Sequence, residues 1–255
     1  METKFILETG SNHNQSYQRS LQFISVAASI GCWGVKFQYY HADKLWSDPK
    51  RIAEAKKGEL PLHWLKGLSE YAREKGLKFG CSVYHPDHVE SVAEHCDFLK
   101  VSSFEANNKD LVGACMQTGI PTHVSFGIKL GWFNFAPPTV KYHCISRYPA
   151  KPEECNLDAT FDNTYSGWSD HTANPGVIYN AVFGYHLSYI EFHLDLDGEG
   201  NEYKHGHCWL PNDMAEVIRN IKSGLEAEGT SNHNTVDKER EDLKDLMWKP
   251  ETGKR

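Results

Sequence analysis

The feature that most restricts the fold of this sequence is an alternation repeated along most of its length: a short apolar run, then a stretch with helical spacing. Eight such runs occur, at residues 5–7, 34–40, 77–84, 98–103, 122–126, 140–145, 165–168 and 189–194. Their length and their β-branched and aromatic content read as strands. Residues 16–30 follow the first run, with Leu21, Ile24, Val26, Ala27 and Ala28 on one apolar stripe and Gly31 placed to close a helix. Further helices are expected over 61–75, stopped by Gly76, over 87–95, with Asp87 as N-cap, over 109–118, ending at Gly119, and over 176–183 and 211–226. After the fifth run, residues 128–139 carry Pro137-Pro138, and after the sixth, residues 149–164 carry two prolines with little apolar periodicity. Both stretches are poor helix material.

Strand followed by helix, eight times over, implies an α/β protein: a (β/α)8 TIM barrel, trimmed, with helices 5 and 6 reduced to loops. An open doubly wound sheet is the rival, but no GxGxxG turn follows the first strand. The barrel is assigned to residues 1–228 and a charged C-terminal extension to 229–255, which has few apolar anchors. The tetrapeptide Ser-Asn-His-Asn at 11–14 recurs at 231–234 without similar flanks, and chance explains it.

Composition excludes some partners. A net charge of -7 gives no general affinity for nucleic acid or an anionic membrane, so an anionic substrate would need local positive charge. The seven cysteines are scattered, with no CxxC pair, and fit reduced thiols better than a disulfide framework. Residues 1–8 run into a strand-like segment without a signal-peptide pattern, and no apolar run approaches the roughly 20 residues of a membrane span. A soluble, cytoplasmic protein is expected.

In a barrel of this class the chemistry gathers where the strands end. Polar residues crowd there: Glu8 with Asn12 and His13, Lys36 with Gln38, Ser82, then Lys100 with Ser103 and Glu105. Ser125, Ser146 with Tyr148, Ser169 with Asp170 and His171, and Glu191 with His193 complete the ring. Lys36 and Gln38 are two apart and share a strand face, as do Glu191 and His193. A lysine within an apolar strand needs a partner, because burying an ammonium alone is costly. For Lys36 that partner is either a carboxylate, Glu8 or Glu191, or a bound anion, and both readings stay open. Two such lysines with several serines suit an anion with many oxygens, such as a phosphate with a carboxylate. His143 alone reads as a hydrogen-bonded core residue. His171 and His193 lie at neighbouring strand ends and could share a cation with positions left for water and substrate. His205-Gly206-His207 is the rival pair, more simply a polar loop.

These residues resemble the barrel of the N-acetylneuraminate (sialic acid) synthase family. The likeness is carried by Ile6-Leu7-Glu8-Thr9-Gly10 with Asn12-His13, by Val35-Lys36-Phe37-Gln38, and by Lys100-Val101-Ser102-Ser103. It continues through 143–150 (HCISRYPA), 167–172 (GWSDHT) and Ile190-Glu191-Phe192-His193. The resemblance implies a transferase that uses phosphoenolpyruvate and a divalent metal, Mn2+ or Mg2+, to extend an amino-sugar aldehyde such as N-acetylmannosamine. It implies His171 and His193 as metal ligands, with Lys36, Lys100, Ser82, Ser103, Ser125, Ser146 and Ser169 around phosphoenolpyruvate. Glu8, Gln38, Glu105 and Tyr148 would then surround the sugar, with Glu105 handling protons and Glu8 assisting. It further implies a metal-polarised aldehyde attacked by C3 of phosphoenolpyruvate, water added at C2, and loss of phosphate to give a nonulosonic 2-keto acid. A homodimer is compatible with it.

The departures are specific. The family's Pro-Gly-Pro-Asp-His type loop is replaced by 195–209 (DLDGEGNEYKHGHCW), where no aspartate aligns with certainty. The insert after the second strand is shortened to 41–60, and the resemblance covers the catalytic barrel without the family's C-terminal antifreeze-like domain. Two other functions remain compatible with the sequence: a metal-dependent pyruvate or phosphoenolpyruvate aldolase acting on a different aldehyde, and a non-catalytic sugar-binding barrel.

Overall fold

The computed structural model describes residues 2–127, 139–160, 164–229 and 247–253. Eight parallel strands close into a barrel in chain order: β1 (Lys4–Glu8), β2 (Gly34–Tyr39), β3 (Lys78–Val83), β4 (Phe98–Val101), β5 (Thr122–Phe126), β6 (Val140–Cys144), β7 (Gly167–Asp170) and β8 (Tyr189–His193). Two strands differ from their expected bounds by more than one residue: β4 ends at Val101, two residues before the end of its run at 103, and β7 is displaced. The apolar run places β7 over 165–168, but the strand begins at Gly167, which pairs with Tyr142 and Tyr189, and it continues to Asp170, because Ser169 and Asp170 pair with Glu191 and Phe192 of β8. Ser169 and Asp170 are therefore strand residues, and His171 is the first residue beyond.

Around the barrel lie α1 (Tyr17–Ser29), α2 (Ala42–Leu45), α3 (Pro49–Ala55), α4 (Trp64–Glu74), α5 (Val89–Ala93), α6 (Lys109–Gln117), α7 (Pro175–Tyr179) and α8 (Pro211–Glu228). The short α2 and α3 occupy the shortened insert. Ser16 caps α1 by accepting from Arg19 N at 3.2 Å, and Gly31 closes it with φ 83°. Asp87 does not cap a helix. It sits inside a 3-10 turn, Pro86–His88, where its own N–H donates to His85 Nδ1 at 3.3 Å, and α5 starts only after that turn. α7 ends in a π turn, Asn180–Gly184. After β6 the described residues hold two 3-10 turns, Pro152–Glu154 and Leu157–Thr160, and no α-helix before β7. The loop expected at 128–139 and the repeated tetrapeptide at 231–234 lie, but for Thr139, outside the described residues.

The chain divides into two compact units, Met1–Lys222 and Ser223–Arg255. The first contains the barrel. The second contains the C-terminal end of α8 and a turn in which Gly253 N donates to Lys249 O at 3.0 Å. No helix among the described residues is long and apolar enough to cross a membrane. All seven cysteines are free.

Inside the barrel, the strand starts are plugged by rings. Phe98 stacks on His123 at 4.6 Å, and His123 Nδ1 meets the Tyr142 hydroxyl at 3.0 Å. Lys4 Nζ donates to the Tyr189 hydroxyl at 3.1 Å and lies over Trp33. Gly80 on β3 makes this possible, since a Cβ there would collide with the Phe98 ring. The plug gives the next layer a dry floor: Lys100 Nζ lies 5.0 Å over the Tyr142 ring.

Burial, then the nearby Lys100, pushes His123 down from 6.5 to about 3. The unfolded chain therefore binds a proton that the folded one does not, and stability is lost as pH falls from 6.5 toward 3. The loss is at most about 1.4 kcal/mol per pH unit for this group. Denaturant unfolding at pH 7 and 5 should show a shallower loss in His123→Phe, which keeps the stacked ring and cannot titrate.

Candidate active site

The strand register assembles an ion cluster above the ring plug. Glu8 of β1 stands opposite Lys36 of β2 and His193 of β8, and Ser82 of β3 stands opposite Gln38 and Lys100. Lys36 forms an ion pair with Glu8, donates to Ser82 Oγ at 2.7 Å and lies 3.8 Å from Glu191 Oε2. Lys100 donates to Glu191 Oε1 at 2.8 Å, and Ser169 Oγ donates to the same oxygen at 3.0 Å. Both lysines are 2% exposed. The carboxylate partners suggested for Lys36 are thus both present. Burial disfavours ionisation of Glu191, but Lys100 and Lys36 outweigh it and hold its carboxyl well below the ordinary range.

These groups line a cavity of about 380 Å³, a size that suits a small ligand. Glu8, Lys36, Gln38, Ser82, Lys100, Ser103, Ser125, Tyr148, Ser169, His171 and His193 are on its wall. Glu105 and Ser146 are not. Ser146 Oγ lies 2.5 Å from Ser103 Oγ, and Glu105 accepts from Ser102, which does line the cavity. Burial raises the Glu105 carboxyl above its ordinary value.

His171 is fixed at the end of β7. Its neighbour Asp170 is fully buried and accepts from Trp168 Nε1, Thr172 Oγ1, Ala173 N and Trp209 Nε1 at 2.7–3.2 Å. His171 Nδ1 lies 2.6 Å from the Ile145 carbonyl, which can only accept, so Nδ1 carries the proton and Nε2 the lone pair. Burial pushes this imidazole down to about 3, which keeps it neutral, as a metal ligand must be. The His171 and His193 rings are 5.5 Å apart, with Tyr148 4.1 Å from the first and 5.8 Å from the second. The two histidines expected to hold a cation thus stand side by side on the cavity wall.

The loop after β8 contributes what sequence reasoning missed. Glu202 Oε2 lies 3.0 Å from His193 Nδ1 and 3.5 Å from His207 Nε2, while Oε1 accepts from Ser11 N at 2.7 Å. Burial opposes ionisation of Glu202, but the two imidazoles overcome it and keep the carboxyl well below its ordinary value. The polar-loop reading holds for His205, which is exposed, but not for His207, which is 3% exposed and lies 4.7 Å from the His193 ring. Asn12 anchors the loop, accepting from Glu202 N at 2.6 Å and donating to Leu194 O at 3.0 Å. Asp195 accepts from Gly198 N, Gly200 N and Arg19 at 2.7–3.1 Å. One sequence signal bears on Glu202. Gly10 has φ 52°, and a side chain there would strike the Glu202 carboxylate. His143 behaves as the core residue expected, its Nε2 lying 2.9 Å from Cys155 O.

The ion cluster yields a stability prediction. Glu191→Gln leaves two buried ammonium groups facing one carboxylate and should cost about 3–5 kcal/mol in denaturant unfolding. Adding Lys100→Met removes the uncompensated charge and should restore part of that loss. A double variant no more stable than Glu191→Gln would show that the two charges are not coupled.

The sequence profile of the NeuB family matches residues 23–233. The chain is 26% identical to the spore coat polysaccharide biosynthesis protein SpsE of Bacillus subtilis, over 88% of this chain and 67% of that protein. It is 27% identical to the N,N'-diacetyllegionaminic acid synthase of Legionella pneumophila, over 92% of this chain and 75% of that protein. Among solved structures, the N-acetylneuraminic acid (sialic acid) synthetase of Leptospira borgpetersenii, determined with citrate, superposes with a TM-score of 0.81 at 21% identity, covering 96% and 91% of the two chains. A truncated 3-deoxy-D-arabino-heptulosonate 7-phosphate synthase of Thermotoga maritima shares the fold at a TM-score of 0.68 and 12% identity, covering 90% of this chain and 88% of that one. With the profile spanning most of its length and the barrel closed as the sequence implied, this chain belongs to the NeuB family.

Proposed function

We propose that the chain joins phosphoenolpyruvate to an amino-sugar aldehyde of the N-acetylmannosamine type, giving a nonulosonic 2-keto acid and phosphate. The observation that carries this reading is one cavity, in a NeuB-family chain, whose wall combines Lys36 and Lys100 with five serine hydroxyls and the His171–His193 pair. The phosphate and carboxylate of phosphoenolpyruvate need N–H and O–H donors with balancing charge. Lys36, Lys100, Ser82, Ser103, Ser125 and Ser169 supply them at the wall, with Ser146 behind Ser103.

In this reaction a bond forms between C3 of phosphoenolpyruvate and the aldehyde carbon, water adds at C2, and phosphate departs. Glu105 takes the proton of that water by way of Ser102, which lines the cavity and donates to Glu105, a role suited to a carboxyl raised above its ordinary value by burial. Glu8, Gln38 and Tyr148 orient the aldehyde. His193, with His171 as the family likeness implies, would hold a divalent cation, Mn2+ or Mg2+. When bound, the cation supplies Lewis acidity to the acceptor's carbonyl oxygen.

Formal charge supports the need for a cation. The cavity wall carries two lysines and three carboxylates, Glu8, Glu191 and Glu202, so the sum is 2 − 3 = −1 with neutral imidazoles. An added divalent ion makes that sum positive before a multiply charged anion enters. A second cavity of about 490 Å³ shares Glu202 and His205 with the first and carries Trp46, Arg51 and Lys204, giving room for the far end of the acceptor. In this reading the catalytic unit is residues 1–228, with 229–255 an extension, and the enzyme works in the cytoplasm as a homodimer.

Supplied with phosphoenolpyruvate, Mn2+ and a panel of hexosamine aldehydes, the protein should release inorganic phosphate only when an accepted aldehyde is present. Phosphate release with none of them would sink the reading. Chelation should stop release while circular dichroism stays unchanged. Glu105→Gln should retain phosphoenolpyruvate binding in calorimetry yet slow turnover about 10²–10⁴-fold. Unchanged turnover would assign the proton to another group.

A further inference from the structure

The loop after β8 brings together donor groups beyond the His171–His193 pair. His193 Nδ1 and His207 Nε2 approach the same oxygen of Glu202, at 3.0 and 3.5 Å. The two rings are 4.7 Å apart, and imidazoles sharing a cation through nitrogen contacts of about 2.1 Å hold their centroids roughly 4.5–5.3 Å apart. One donor atom from each of His193, Glu202, His207 and Cys208 lies within 4.8 Å of the others. Cys208 is not on the cavity wall and accepts from Asn12 Nδ2 at 3.4 Å, whereas the other three line the cavity.

We propose that His193, Glu202 and His207 form a two-histidine, one-carboxylate cation site, so that the loop replacing the family's usual one supplies two ligands of its own. Three protein ligands of this kind leave positions open for water and substrate, the pattern of catalytic rather than structural metal sites. Glu202 is already held in a ligating position. Ser11 N fixes Oε1, Asn12 fixes the backbone, and Gly10 leaves the space. The role of this site in catalysis rests on the function proposed above, but its existence does not, so it is tested with metal alone.

Mn2+ is titrated into the full chain by calorimetry, without phosphoenolpyruvate or aldehyde, and the absorption spectrum of the Co2+ form is recorded. Glu202→Gln keeps an oxygen for Ser11 N, and His207→Gln keeps a polar side chain of similar reach. Each should weaken Mn2+ binding about tenfold or more and alter the Co2+ spectrum, while His205→Ala changes neither. Thermal melts confirm that the variants are folded. Wild-type Mn2+ affinity in both variants, with loss only in His171→Ala, would overturn the proposal in favour of a two-histidine site. Weaker binding with an unaltered Co2+ spectrum would overturn it too, making Glu202 and His207 positioning residues. So would the absence of Mn2+ and Co2+ binding in the unaltered chain. Failure to release phosphate with any aldehyde bears on the proposed reaction and leaves the metal result standing.

Discussion

The mutual neutralisation of Lys36 and Lys100 by Glu8 and Glu191 is the interaction on which the rest of the mouth depends. Two ammonium groups at 2% exposure are tolerable only beside carboxylates, and the four groups come from four different strands. A slip of one residue in any of them would turn its charge into the helical layer, among residues such as Val35 and Phe37 that are fully buried. The cluster therefore specifies register as well as charge. It stands on the Phe98–His123–Tyr142 plug, which keeps the low-dielectric floor that gives each ion pair its strength.

Much of this was legible in the sequence because strand patterns and strand-borne charges are local signals. The eight runs and the lysine-bearing strands needed only periodicity to be placed, and the motifs at Lys36, Lys100 and His171 carried the family. Only the family likeness, and not the spacing of residues, assigned chemistry to Glu105, which stands behind Ser102 off the cavity wall.

The shortfalls share a cause. Residues 195–209 have no periodicity, and Glu202 is placed by partners about 190 positions away, Ser11 and Asn12. Pairing at that distance leaves no trace in a window of neighbouring residues. The start of β7 escapes local reading for a similar reason, since the ladder partners of Gly167, Tyr142 on β6 and Tyr189 on β8, and not its own composition, decide where it begins. Asp87 has the right residue type for a cap, but Pro86 and His85 build a turn ahead of the helix.

The order in which these groups occur along the chain has a consequence for biosynthesis. Lys36 and Lys100 are made long before Glu191, and Asn12 waits for Glu202 until the eighth strand is complete. A nascent chain of seven strands holds both lysines with only Glu8 to answer them, so it cannot settle into a closed ring. Ribosomal emergence of β8 then completes the charge balance and the seam with β1, and the loop that follows it completes the wall of the cavity. Half-made protein is thereby kept from presenting a finished pocket.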